Sequence, residues 1–315
     1  QLRCNSVTIY GSDLDRLAET SAAAVEQGLH VWLQPRLVDR PQEEILDFLG
    51  RAARLAESLR QDGAKITFSV GAVHLVFTPG IVPGGKYHER MANVYAGADH
   101  NVLKPTGSVD PAAARQELNV FLYRASSVAR DHFNGNIAYS AAPFEDVDWR
   151  LFDFIGLMYF YHSTYHPEFE WHEREVGRYR KWNKPIFIAE FGTGTYRGAA
   201  EKAFLSFDIV DRTGPVHLVL EQYVRNEQAQ AEYHLKMFDM FERLDVHGVS
   251  VYEFIHPTHP HSTHPRLDLD AASMAIVKTI RDDYTNPNST YRWEPKESFH
   301  AIATYNAACA GEPSA

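Results

Sequence analysis

The chain has 315 residues and a mass of 35.8 kDa, more than most single-core domains but suited to one (β/α)₈ barrel, which takes roughly 250 residues plus insertions. A formal net charge of -10 with 12% aromatic residues argues against a nucleic-acid partner and suits a site that stacks on sugar-like faces. No run reaches the roughly 18 consecutive apolar residues of a membrane span, and no charged and then apolar leader opens the chain, so the expectation is a soluble, cytoplasmic protein acting on a small molecule.

The first β-rich apolar run covers residues 5–10 and ends in Tyr10. A helical pattern over 18–27 leads to a second run at 30–34, which ends in Gln34 with Arg36 just beyond. After a helix over 42–60, a third run at 65–73 is followed by His74. A long loop, 77–104, carries the breakers Pro79-Gly80 and Pro83-Gly84-Gly85. Next come a helix over 111–131 and strands at 136–141 and 154–160, the second ending near Tyr159, Tyr161 and His162. A sixth run at 185–190 precedes another long loop, 192–221, then a helix over 224–244 and a seventh run at 248–255.

Apolar strands alternating with amphipathic helices build a parallel sheet. Seven strands fall one short of the usual barrel, so the expectation is a single TIM-barrel domain over 1–315 whose first strand precedes Gln1. The competing doubly wound sheet would carry a glycine-rich phosphate turn after its first strand. Tyr10-Gly11-Ser12-Asp13 is not one, and no cofactor is expected. Cys4 and Cys309 stand near opposite ends of the chain, which suggests neither a disulfide scaffold nor a thiolate zinc site.

Lys184-Pro185-Ile186-Phe187-Ile188-Ala189-Glu190-Phe191-Gly192 puts one carboxylate at the exit of a strand too apolar to be an edge, where a parallel barrel keeps its chemistry. A strand-end salt bridge is the plainer role for Glu190. Glycoside hydrolysis needs a second acid, about 5 to 9.5 Å away. Glu145, just past a strand and beside Asp146 and Asp148, and Glu253, read here as lying inside the last strand, are the candidates. One of the acids at 145, 146 and 148 is expected to cap the following turn, and Glu253 has a buried pairing with a cation such as Arg36 as its alternative. Four histidines between His256 and His264 raise the question of a metal, but their spacing matches no helical ligand motif, and hydrogen bonding to substrate or solvent is preferred. Tyr10, Gln34, Arg36, His74, Tyr159, Tyr161 and His256 are the expected substrate-binding groups.

The segment Pro-x-x-x-x-Glu-Phe-Gly, followed by a long loop, a helix and a strand ending in aromatic and polar residues, resembles the final units of clan A glycoside hydrolases. That resemblance implies that Glu190, at the tip of the seventh strand, is the nucleophile. Pro143-Phe144-Glu145-Asp146-Val147-Asp148-Trp149, Glu190-Phe191-Gly192 with Thr195-Tyr196-Arg197-Gly198, and Leu267-Asp268-Leu269-Asp270 with Trp293-Glu294-Pro295-Lys296 resemble more narrowly the barrel proteins labelled abortive infection proteins. One departure matters: clan A places its acid/base Glu after the fourth strand, and Ser69-Val70-Gly71-Ala72-Val73-His74-Leu75 carries no acid. The expected function is carboxylate acid/base chemistry on a sugar, glycoside or hydroxylated natural product. A non-hydrolytic barrel, either a cyclase or isomerase or a ligand-binding pseudoenzyme, is the alternative.

Overall fold

The computed structural model describes residues 1–94, 109–160 and 168–311. The chain runs β1 (Ser6–Gly11), α1 (Leu14–Glu26), β2 (His30–Pro35), α2 (Gln42–Gln61), β3 (Ile66–Ala72), α3 (His74–Phe77), α4 (Tyr87–Val94), α5 (Pro111–His132), β4 (Asn136–Ala141) and β5 (Ile155–Met158). It continues through α6 (Phe169–Gly177), β6 (Ile186–Phe191), a short hairpin of β7 (Val210–Asp211) and β8 (Leu218–Val219), α7 (Glu227–Arg243) and β9 (Gly248–Val251). A second hairpin, β10 (Val277–Arg281) and β11 (Tyr291–Pro295), precedes α8 (Glu297–Cys309).

Seven strands form one sheet in the order β1-β2-β3-β4-β5-β6-β9, each starting within one residue of the position read from the sequence, although the fifth and the last end earlier than read, at Met158 and Val251. Where register is defined it is parallel: Tyr10 lies opposite Gln34, and Ser140 opposite Gly156. Helices fill the connections, the arrangement of a (β/α) barrel. α1 starts where the Asp13 side chain accepts from Arg16 N at 3.1 Å, α5 where Asp110 caps Ala112 N ahead of Pro111, and α7 where Asn226 accepts from Ala229 N, each cap satisfying an otherwise orphaned amide. α2 buries Ile45, Phe48, Leu49, Ala52, Ala53 and Ala56, a stripe at helical spacing. Each large side chain in it contributes about 1.5–3 kcal/mol through burial.

Packing divides the chain into two compact units. The unit of residues 5–158 and 179–189 centres on Trp32, which stacks on Phe187 at 4.0 Å and meets Phe154 edge-on at 5.0 Å. In it, α3 precedes the first long loop and α4 is built within it, at residues read as open chain. Arg90 of α4 is fully buried, donates to Val76 O at 2.6 Å and Gly84 O at 3.0 Å, and pairs with Asp39. The unit of residues 1–4, 159–178 and 190–315 buries Tyr196, Ala199, Ile209, Val210, Val219, Leu269 and Ala272 together. There the second long loop is ordered by a 3-10 segment, Ala199–Phe207, and by the β7–β8 hairpin.

Candidate active site

In the first unit the ends of β1 to β4 carry a continuous polar network. Gln34, buried on β2, donates to Ser140 Oγ at 2.8 Å and to Ser69 Oγ at 3.3 Å, while its Oε1 accepts from Arg36 Nη2 at 2.5 Å. The Arg36 guanidinium lies 4.5 Å above the ring of Tyr10, a cation–π contact. Tyr10 remains 39% exposed, so this end of the network faces solvent. Gln34, Arg36 and Tyr10 are thus brought together.

His74 and Glu145 lie deeper. His74 opens α3 with its ring buried, and because Val70 O can only accept, Nε2 carries the proton at 2.9 Å and Nδ1 accepts from Thr78 Oγ1 at 2.8 Å. Burial, with Arg36 adding to it, pushes its pKa down to about 4, so the ring is neutral with both nitrogens engaged inside the protein. Glu145 accepts from Leu75 N at 2.9 Å, Tyr139 OH at 2.7 Å and Ala142 N at 2.8 Å, and the Tyr139 hydroxyl itself accepts from His74 N at 2.8 Å. α3 has no side-chain cap of its own. Tyr139 on β4 and Glu145 just past its end supply that cap. Burial lifts the Glu145 pKa to about 7 against these three bonds. Of its acidic neighbours, Asp148 is the one that caps a turn, accepting from Arg150 N at 3.1 Å.

In the second unit Glu190 is the penultimate residue of β6. The Phe191 ring packs against His234, Phe238 and Phe241 of α7, so in extended backbone the preceding carboxyl is presented to the face opposite that helix. Glu190 O accepts from Tyr159 N at 2.8 Å, and the Tyr159 hydroxyl bonds His172 Nδ1 on α6. Tyr161 lies outside the described residues. Tyr252 N donates to Phe191 O at 2.8 Å, which sets the residues after β9 beside the tip of β6. Gly192 makes that approach possible: a Cβ there would fall 2.1 Å from Tyr252 O.

Glu253 is not inside the last strand. β9 stops at Val251, the Tyr252–Glu253 peptide is cis, and from Glu253 onward the backbone pairs with the approach to β10, Ile276 N donating to Glu253 O at 3.0 Å. The Glu253 side chain is buried, and its Oε1 is bonded by Nδ1 of His256. His256 is in turn crossed by the ring of His259 at 4.2 Å and 84°.

Asp268, Asp270 and His261 converge closely enough to hold an ion. Their charge is already met: Arg225 Nη1 lies 3.0 Å from Asp268 and 2.9 Å from Asp270, and Lys296 Nζ lies 2.9 Å from Asp270. Glu227 and Lys278 extend the network. Burial opposes the charge on Glu227, yet Lys278 and Arg225 hold its pKa down to about 2. The motif stretches around Thr195, Asp268, Asp270 and Lys296 therefore meet in one buried ion-pair cluster, with Lys296 also donating to Thr195 Oγ1 at 2.9 Å. Sequence reasoning missed the roles of Arg225, Lys296 and Tyr139 because their partners are remote in the chain or hidden within a strand.

Among solved structures the chain is similar to a GH113 beta-1,4-mannanase (TM-score 0.57, 14% identity, covering 96% of this chain and 88% of that one). It is similar also to the GH113 beta-mannanase AaManA from Alicyclobacillus acidocaldarius (TM-score 0.54, 15% identity, 97% and 88% covered) and to the family 1 beta-glucosidase from Thermotoga maritima (TM-score 0.50, 11% identity, 95% and 78% covered). The chain has the TIM-barrel fold of glycoside hydrolases. No protein-family model and no curated protein matches it, and the narrower resemblance to abortive infection proteins finds no support in these comparisons. No helix among the described residues is long and apolar enough to cross a membrane.

Proposed function

We propose that the protein is a glycoside hydrolase-like enzyme acting on a sugar, glycoside or hydroxylated natural product, with Glu190 as the nucleophile. The observation that carries this reading is the position of Glu190 at the end of β6, with the hydrogen bond from Tyr252 N to Phe191 O bringing the segment that carries Glu253 alongside that strand end. Glycoside cleavage needs a nucleophile and a separate proton donor, and that segment carries Glu253 and His256. The fold neighbours, two mannanases and a glucosidase, support the same class.

The test is turnover of a panel of aryl glycosides by wild type and Glu190→Gln. Wild-type activity that falls at least about 1,000-fold in the variant, as loss of a nucleophile requires, supports the reading, and equal activity in both removes Glu190 from the mechanism. The engagement of Glu145 and His74 within the protein favours one second reading, a non-hydrolytic barrel that binds or rearranges its ligand. Thermal stabilisation by sugars or hydroxylated metabolites without hydrolysis would select it.

A further inference from the structure

We propose that Glu253 and His256 act as a dyad in which Glu253 holds the imidazole and His256 is the general acid and base of the proposed reaction; the inference rests on the glycoside hydrolase reading above. It answers a gap in the chemistry. No acid stands at residues 73–78 directly after β3, and Glu145 is committed to Leu75, Ala142 and Tyr139.

Glu253 is built to hold rather than to move. Its side chain is buried, and its backbone is fixed on both sides, with Ile276 N donating to Glu253 O at 3.0 Å and Val277 N to Phe254 O at 3.2 Å. Its Oε1 receives the Nδ1 proton of His256, and the His256 backbone is tied by Thr279 Oγ1 donating to its carbonyl at 3.2 Å. A carboxylate on Nδ1 fixes the tautomer and leaves Nε2 as the proton-exchanging atom. Among the described residues, Nε2 has no hydrogen-bond partner, and the ring stays partly open to solvent. The groups packed against His256 are Glu253 and His259, and Arg212, His217 and Arg281 act on His259. Burial, reinforced by His256, keeps His259 neutral by pushing its pKa down to about 3, so the carboxylate dominates the immediate surroundings of the imidazole.

In the first step Glu190 forms a bond to the anomeric carbon as the bond to the glycosidic oxygen breaks. The bonding pair leaves with that oxygen, which takes the Nε2 proton of His256 and departs as an alcohol. In the second step water attacks the anomeric carbon, gives a proton to Nε2, and the bond to Glu190 breaks. Atoms and charge balance with no further reagent. Glu253 touches no reacting atom and is a positioning residue.

The test uses the intact chain and aryl glycosides graded by leaving-group acidity. A missing proton donor hurts poor leaving groups most. His256→Asn should lose at least about 100-fold in kcat/KM on unactivated phenyl glycosides, within the usual range for general acid catalysis, and less than about 10-fold on dinitrophenyl glycosides. Glu253→Gln should show the same steepened dependence with a smaller loss. Equal losses on every leaving group, or none, while turnover still requires Glu190, would overturn the dyad alone. Absence of wild-type turnover even on dinitrophenyl glycosides would overturn the underlying reading and this chemical role with it. Independently of turnover, ¹⁵N spectra of labelled histidine should show a strongly hydrogen-bonded Nδ1 proton on His256 that disappears in Glu253→Gln; a proton residing on Nε2 alone would refute the holding role.

Discussion

In two acidic regions of this molecule, Glu145 and Glu227 have pKa values pushed in opposite directions. Glu145, at the β3–β4 ends, is held by two backbone amides and a tyrosine hydroxyl, with no cation bonded to it, and burial raises its pKa to about 7. Asp268, Asp270 and Glu227 are held by Arg225, Lys278 and Lys296, and Glu227 sits at about 2. Neutral donors satisfy a carboxyl geometrically without repaying its desolvation, whereas a cation in contact favours the charged form outright. The first region is therefore sensitive to pH near neutrality, and the second should be sensitive to the removal of any one charge.

The largest expected effect breaks the second region. Asp270→Ala deprives the fully buried Lys296 of its carboxylate and should cost about 3–5 kcal/mol, the usual penalty for stranding a buried charge. Urea unfolding measures this, and a loss under about 1 kcal/mol would mean that the cluster is not a closed network.

Next is the pH response of Glu145. Its folded pKa of about 7 stands above the ordinary 4.5, so its contribution to stability is full below about pH 4.5 and is lost as pH rises through 7, a swing of about 3 kcal/mol. The buried histidines act the other way: His74 at about 4 and His234 at about 3 contribute stability above their ordinary 6.5 that is lost on acidification. Glu145→Gln leaves those histidines in place, so the difference between wild-type and variant stability profiles across pH 4.5–7 isolates the carboxyl. A flat difference would contradict the uncompensated burial.

A smaller effect compares two glycines. A Cβ on Gly156 would fall 2.2 Å from Tyr139 O, and one on Gly192 2.1 Å from Tyr252 O. Each alanine should cost about 1–3 kcal/mol by forcing backbone apart. Only Gly192→Ala, which displaces the residues after β9 from the tip of β6, should also depress turnover of aryl glycosides; equal activity in the two variants would disconnect that strand pairing from catalysis. Of comparable size, Tyr139→Phe strands His74 N and one Glu145 lone pair and should cost about 1–3 kcal/mol, read as a shift of the unfolding midpoint.

The strands were legible because buried parallel strands read as continuous β-branched and aromatic runs. The end of the last one was not. Residues 250–255 keep an apolar pattern, but the backbone leaves β9 after Val251 to pair near β10, and no local spacing announces that turn. His74 looked like a strand-end ligand group because a polar residue after a strand is ambiguous; the one-turn helix that folds its ring back on Val70 O depends on Glu145 and Tyr139, about 70 residues away. The Arg225, Asp270 and Lys296 cluster likewise joins parts of the chain with no common period. The position of Glu190 at the tip of β6 was legible for the opposite reason, since the apolar run that precedes it reads as a buried strand from local pattern alone.

The measurement that tests the account most directly is covalent trapping. Intact protein treated with 2-deoxy-2-fluoro aryl glycosides and digested for mass spectrometry should carry one fluoroglycosyl group on the peptide containing Glu190, with none on the peptides containing Glu145 or Glu253 and none in Glu190→Gln. A label on Glu145 or Glu253, or stoichiometric labelling that persists in Glu190→Gln, would contradict the assignment of the chemistry to the tip of β6.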